Sequence, residues 1–457
     1  MEDAVCPLDF RYGRPAMKAL LGHESRLANM LKVEAALANA QSKLGTVPKE
    51  AAKEIARKAD LRHVRTARVK EIEDQIRHDT MAVVKALAEK CGGDAGRYVH
   101  LGATSYDIID TAMALEIKKA IKLVREDLRA QLYTLAGLSI KHKGTVMVGR
   151  THGQFALPIT LGLKFAVFTS EVLRHLERID QSLPRISVGK MAGAVGTSAG
   201  FGRNAGRIRD LMSKDLGIEF EEATTQIVQR DRYVELVSLL CNIATTQERL
   251  ATEIRNLQWS EIGELSEGFD ARRQVGSSTM AQKKNPIGCE NVCGLARTLR
   301  GFMLPTWENA LQWHERDLSN SSSERFVIPH TLILADDIIT KMTRILKDLT
   351  VDTKAMGYNL KRTQGLIMAE PVMLALVDKG VMGRQEAHEL LRTAALEAQK
   401  SGKHLKEVLW KRSAVSKRFS KHELERLFDP KNYLGDAEAV VLSTVKKARA
   451  YLGRSPK

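Results

Sequence analysis

The chain has 457 residues, with 71 Lys and Arg against 55 Asp and Glu for a formal net charge of +16. Its 44% hydrophobic and 28% charged content are ordinary for a globular protein that builds its core without disulfide staples, and no stretch of about 18 uncharged apolar residues is present to span a membrane. The five cysteines (Cys6, Cys91, Cys241, Cys289, Cys293) are odd in number and lack a CxxC pair, which excludes a disulfide framework and leaves no zinc site at ligand spacing.

Taken in chain order, the pattern is helical almost throughout. The acidic start, Met1-Glu2-Asp3, lacks the basic and apolar regions of a signal peptide, so a soluble cytoplasmic enzyme is expected. Leu27, Met30, Leu31, Leu37 and Leu44 form an apolar stripe that Gly45 closes as a left-handed cap. Pro48 belongs in the first turn of the next helix. An amphipathic stretch over 81–91 stops at Gly92-Gly93.

Over 107–143 the one breaker is Gly137, and Ile108, Met113, Leu115, Ile117, Ile121, Val124, Leu128 and Leu132 occupy more than one face. Similar runs follow at 159–183, 230–262 and 326–349. A long helix that is apolar on several sides needs several neighbours, which predicts a bundle shared between subunits. Only 145–148 and 185–189 read as short strands. The expected fold is all-α, with an N-terminal helical domain (1–103), a central long-helix bundle carrying the catalytic loops (104–355) and a C-terminal helical domain (356–457).

The turn-rich segments 98–105, 149–158, 189–201, 268–286 and 315–325 interrupt this pattern, and long connections in a bundle invite a functional reading. In Gly276-Ser277-Ser278-Thr279-Met280-Ala281-Gln282-Lys283-Lys284-Asn285-Pro286, two serines follow a glycine, with a lysine and an asparagine downstream. A bare Ser/Gly cluster is ordinarily a surface loop; the whole string is far more specific. Gly149-Arg150-Thr151-His152-Gly153-Gln154 sets a histidine between a polar loop and a long helix. His100-Leu101-Gly102-Ala103-Thr104-Ser105-Tyr106-Asp107 supplies Thr104 or Ser105 as a helix cap, and the N–H groups at a helix start also bind carboxylates.

These three strings resemble the signature segments of the fumarase/aspartase superfamily, G-S-S-x-M-P-x-K-x-N and G-R-T-H-x-Q among them. Ala281 stands where that family usually has Pro, which removes a fixed φ and loosens the loop. The resemblance implies elimination of fumarate, with Ser277 as base and His152 as acid. Lys283, Asn285 and loop N–H groups are then suited to the dianionic intermediate. No metal or organic cofactor is implied.

Further strings resemble the adenylosuccinate lyases within that superfamily, over about residues 9–450. They are Arg11-Tyr12, Arg77-His78-Asp79 inside a helical stretch, the run from Thr225 through Gln229 to Arg232, and the run from Trp313 to Arg325. A phosphate calls for guanidinium forks and hydroxyls. By this resemblance Arg11, Tyr12, Arg316, Ser321 and Arg325 belong to the nucleotide end of the substrate. Gln229, Thr104, Ser105, Thr151, Lys283 and Asn285 belong to the succinyl end, with Arg77, His78 and Asp79 beside the site. The implied substrates are N6-(1,2-dicarboxyethyl)-AMP and the succinylated aminoimidazole carboxamide ribotide, and the implied assembly is a homotetramer with active sites shared between subunits. A carboxymuconate cycloisomerase or another fumarate lyase of the superfamily is the nearest rival; it needs no nucleotide end. The charge of +16 raises a basic helical nucleic-acid-binding protein as a different class. Because no finger, RNA-recognition or basic-zipper pattern accompanies the charge, no specific nucleic acid is expected.

Overall fold

The long runs are helices: Ser105–Lys141, Leu161–Ile186, Asp231–Leu257 and Ser319–Lys347. The computed structural model describes residues 4–269, 276–280 and 282–454. The fold is all-α. Among the described residues the strands are two short antiparallel pairs, Val146–Thr151 with Gln154–Thr160, and Leu265–Ser266 with Thr350–Val351.

Helix ends follow local chemistry, with three differences from the sequence reading. The first helix with a long stripe runs His23–Lys43, and Gly45 at φ 78 closes it as expected. Pro48 lies one residue before the helix Lys49–Lys58: its backbone is extended (ψ 140), and its carbonyl accepts from Ala52 N at 3.0 Å, which is the role of a cap. The segment 185–189 is no strand, because its first two residues end helix Leu161–Ile186 and Gly189 forms only a single parallel bridge to Phe220. Arg77-His78-Asp79 is a helix break. Arg77, left-handed at φ 52, closes Thr66–Ile76, and the His78 ring accepts from Met81 N at 3.2 Å to cap Asp79–Ala88.

By internal packing the chain divides into two units. The first comprises Met1–Leu128, His175–Gln247 and Gly294–Thr340. Its core joins Leu31, Leu37, Ile55, Leu87, Ile108 and Met212, and nearly every residue from 106 to 117 is buried, so this part of the long helix is enclosed on all sides. The second unit comprises Arg129–Arg174, Glu248–Cys293 and Lys341–Lys457. Its C-terminal helices pack around Val372, Leu376, Leu391, Leu409 and Phe419.

Charge is buried in the first unit at several places, and two of them bear on stability. The Arg230 side chain, 1% exposed, donates to Asp110 at 2.8 and 3.0 Å and to Glu324 at 2.8 and 3.2 Å. Removing one member of such a set leaves uncompensated charge in a low dielectric. Arg230→Met is therefore expected to destabilise the protein by about 3–5 kcal/mol, read as a lowered denaturation midpoint in urea.

At the second place Arg14 bridges two carboxylates, donating through Nε to Asp336 at 2.9 Å and through Nη2 to Asp127 at 2.5 Å and also to Asp336. Gly13 precedes it at φ 85, where a Cβ would overlap Ile333. Burial and the neighbouring Asp336 push the Asp127 carboxyl from 3.8 up to about 8. Between those limits the folded chain binds more protons than the unfolded one, so this contribution to stability is present at low pH and is lost as pH rises through the folded pKa. The melting temperature of wild type is expected to fall between pH 6 and pH 8.5, and Asp127→Asn to flatten that fall; an equal slope in the two proteins would refute the assignment.

Candidate active site

In the second unit the strands Val146–Thr151 and Gln154–Thr160 form a hairpin in which Thr151 pairs with Gln154. The two connecting residues, His152 and Gly153, both have positive φ (55 and 75). That is the type I′ arrangement, whose twist matches the flanking strands. The expected acid is therefore an exposed side chain at the tip of a rigid hairpin. A bulge falls between Val148 and Arg150, at Gly149, where a Cβ would sit 2.6 Å from the Leu157 carbonyl. Arg150 donates to both oxygens of Glu264, at 2.8 and 3.0 Å. The Glu264 side chain has no exposed surface and also accepts from Asn359 Nδ2 at 2.8 Å.

The serine-rich segment is held from its own backbone. Ser277 Oγ accepts from Thr279 N at 3.2 Å and Met280 N at 3.0 Å. Donors on a hydroxyl oxygen favour its ionised form, which suits a serine meant to act as a base. Asn285 Nδ2 donates to the Gly276 carbonyl at 3.2 Å, and a Cβ at Gly276 would overlap the Lys283 carbonyl. The Lys283 side chain is exposed. Ala281 lies outside the described residues, so the alanine-for-proline departure has no structural account.

Past the loop, the Glu267 carboxylate accepts from Gly288 N at 3.0 Å and Cys289 N at 2.5 Å, at the start of helix Ile287–Gly301. Charge at a helix N-terminus is favourable there. Gln258 accepts from Glu267 N at 3.0 Å and donates to the Lys284 carbonyl at 3.1 Å. Burial, followed by Glu267, drives the Cys289 thiol well up, so it stays protonated and inert.

The first unit holds the remaining residues. Thr104 precedes helix Ser105–Lys141, and its N–H donates to Asp107 at 2.8 Å. Asp107 also takes Ala192 N at 2.8 Å, Gly193 N at 3.1 Å and the Lys190 ammonium at 2.7 Å, both side chains being fully buried. The helix start carrying Thr104 and Ser105 is thus locked to the segment 190–193. His100, in the same string, has its ring 2.6 Å from the buried Glu34 and serves packing.

Arg316 lies 4.0 Å over the Tyr106 ring and donates to Asn320 at 2.6 Å, while its Nε and Nη2 are buried without a partner. Tyr106 donates to Ser321 at 3.2 Å. Arg325 pairs with Asp79 at 2.7 Å. Burial acts to raise the Asp79 carboxyl, but Arg325 and the Thr80 N–H outweigh it and hold it below the usual range. Asp79 and Arg325, with Arg26, Lys70, His23 and His330, line a cleft of about 1000 Å³. His78 is exposed at the cap beside Asp79.

Of the expected residues, the first unit therefore joins Arg316 with Ser321 through Tyr106, and Asp79 with Arg325. Arg11, Tyr12, Arg77, Thr104, Ser105 and Gln229 are not on the walls of that cleft. Arg11 and Tyr12 instead turn back on the Pro7 carbonyl, at 2.9 and 3.0 Å, and Gln229 is exposed beside the buried Arg230. Sequence reasoning missed Tyr106, Asp107 and Arg150, which lay inside quoted strings, and Lys190, Glu264, Glu267 and Arg26, which carried no local signal.

A long-helix bundle with these segments defines a class, the lyases: the family described as Lyase matches residues 10–301, and that described as Adenylosuccinate lyase C-terminus matches residues 365–443. A protein named adenylosuccinate lyase from Pyrococcus abyssi is 50% identical over 442 residues, covering 97% of each chain. Its namesake from Pyrococcus horikoshii is 48% identical over 443 residues, 97% of this chain and 98% of that one. The solved 3-carboxy-cis,cis-muconate lactonizing enzyme from Pseudomonas putida superposes with a TM-score of 0.88 at 33% identity, over 97% of this chain and 99% of that one. The chain belongs to the adenylosuccinate lyase family.

The hairpin tip is testable by itself. Gly153→Ala places a Cβ on a residue at φ 75, a strain of about 1–2 kcal/mol. The expected result is faster proteolytic cleavage at 150–155 with an unchanged far-ultraviolet helical spectrum.

Proposed function

We propose that this chain is an adenylosuccinate lyase, splitting N6-(1,2-dicarboxyethyl)-AMP into AMP and fumarate. The observation that carries the reading is near-50% identity across almost the whole of both chains to proteins of that name, with Ser277, His152, Lys283 and Asn285 all in place. The lactonizing enzyme shares the fold, but at 33% identity. The strings Arg11-Tyr12 and 313–325 supply cations for a phosphate that its named chemistry does not need.

In this reading the Ser277 alkoxide takes the β-proton of the succinyl group. The resulting charge spreads into the adjacent carboxylate, which Lys283, Asn285 and loop N–H groups stabilise. The C–N bond then breaks, its electrons pass to N6, and His152 delivers a proton there. Thr104 and Ser105, at a helix start, with Thr151 and Gln229, hold the succinyl carboxylates. Arg11, Tyr12, Arg316, Ser321 and Arg325 hold the nucleotide phosphate. His78 and Asp79 flank the site with Arg77. The succinylated aminoimidazole carboxamide ribotide carries the same succinyl-amine and phosphate, and is the second substrate.

A cytoplasmic homotetramer with sites shared between subunits belongs to the same proposal. Large apolar side chains support it: Leu311, Trp313 and Leu318 are 69%, 79% and 70% exposed within one short stretch, and apolar patches of this kind mark contact surfaces. Among the described residues no helix is long and apolar enough to cross a membrane.

The test is fumarate release from adenylosuccinate, followed by absorbance. Ser277→Ala and His152→Ala are each expected to lower kcat at least about 100-fold while substrate still binds. No absorbance change with wild-type enzyme would end the assignment, and a Ser277→Ala variant above about a hundredth of wild-type kcat would remove Ser277 as the base.

A further inference from the structure

The acid and the base of the proposed elimination stand on separate pieces of the second unit, a hairpin tip and a loop, and both are fastened to one short stretch of chain. Glu264 holds the hairpin through Arg150, two residues before His152. Glu267 holds the N–H groups of the second and third residues of the helix that ends the loop, Gly288 and Cys289, from three residues beyond Asn285. The stretch between is itself fixed: Leu265 pairs with Val351 and Ser266 with Thr350, Glu264 N donates to the Leu257 carbonyl at 2.9 Å, and Asp352 N donates to the Glu264 carbonyl at 3.0 Å. Gln258 then ties Glu267 N to the Lys284 carbonyl, next to Lys283.

We propose that the stretch 264–267 sets the placement of the acid-bearing hairpin and the base-bearing loop, with Glu264 and Glu267 as its two positioning residues. This rests on the elimination chemistry proposed above. Neither carboxylate touches the reacting atoms in this scheme; each acts through backbone or through Arg150. Two features argue for placement rather than bulk stability. A carboxylate with no exposed surface is a poor stabiliser, because desolvation offsets most of its attraction to a partner. And glycines stand where the fastening is tightest: at Gly288 a Cβ would lie 2.9 Å from the Glu267 carboxylate, and at Gly268 it would lie 2.5 Å from the Asp348 carbonyl. Proton abstraction and donation both depend on sub-ångström placement, and a displacement of about 1 Å lowers a rate by about 100-fold.

Three variants test this: Glu264→Gln and Glu267→Gln, which remove the charge at similar volume, and Arg150→Gln, which removes the two-bond contact with Glu264. With adenylosuccinate, each is expected to lower kcat by about 10–100-fold per active site while KM stays within about threefold. Glu264→Gln combined with Arg150→Gln is expected to lose little more than either alone, because the two changes remove one interaction. Glu438→Gln, which removes the surface pair with Lys143 in the same unit, is the control and is expected to keep wild-type kcat. Hydrogen–deuterium exchange supplies a readout independent of the reaction: Glu264→Gln is expected to speed exchange over 146–154, and Glu267→Gln over 284–290. Wild-type kcat and unchanged exchange in Arg150→Gln and Glu267→Gln would overturn the proposal, even if Glu264→Gln failed to fold. If wild-type enzyme released no fumarate, the functional reading would fail, and the exchange data would still decide whether 264–267 fastens both elements.

Discussion

A helix of 37 residues that is enclosed on all sides along its first turns leaves no room there for a solvated reaction centre. Chemistry is displaced to the places where helices start, stop or are joined. Thr104 and Ser105 lie at a helix start, His78 at a cap, His152 at a hairpin tip and Ser277 in a loop that ends on a helix N-terminus. The helix starts among them offer backbone N–H groups outside the intrahelical ladder, which suits a substrate carrying carboxylates and a phosphate. The enclosing apolar surface thus explains both the all-α architecture and the concentration of polar motifs in a few connections.

Several charges that enter the interior are matched by opposite charges. Arg230 has Asp110 and Glu324, Lys190 has Asp107, and Arg150 has Glu264. Such pairs contribute little net stability, because desolvation consumes most of the attraction, but each fixes a direction in space. Asp107 fixes the start of the long helix against 190–193, and Glu264 fixes the hairpin. Arg14, like Arg230, serves two carboxylates at once, and there burial and the second carboxylate appear as a raised Asp127.

Much of this was legible along the chain. Helix existence followed from apolar residues on several faces, since periodicity is a local property that survives any tertiary arrangement. Elimination chemistry followed from the resemblance of 276–286 and 149–154 to family segments, which a short window is enough to show; the Ser277 hydroxyl accepts from Thr279 and Met280 within its own loop. Boundaries were less legible. Pro48 works as a cap and Arg77-His78-Asp79 breaks a helix, both decided by dihedral angles that neighbouring segments impose. Lys190, Glu264 and Glu267 gave no signal, because their partners lie 83, 114 and 22 residues away, at Asp107, Arg150 and Cys289.

The sequence alone determined the all-α class, which rests on the spacing of apolar residues, while the reaction type and the expected acid and base came with the resemblance of short motifs to a known family. Only the tertiary structure decided which carboxylates orient those groups, that His152 rides a two-residue I′ turn, and that Arg316 is stacked on Tyr106 with two donors to spare. The physical reason is range: hydrogen-bond geometry between distant segments depends on how apolar surfaces pack, and packing is a property of the folded whole rather than of any window of sequence.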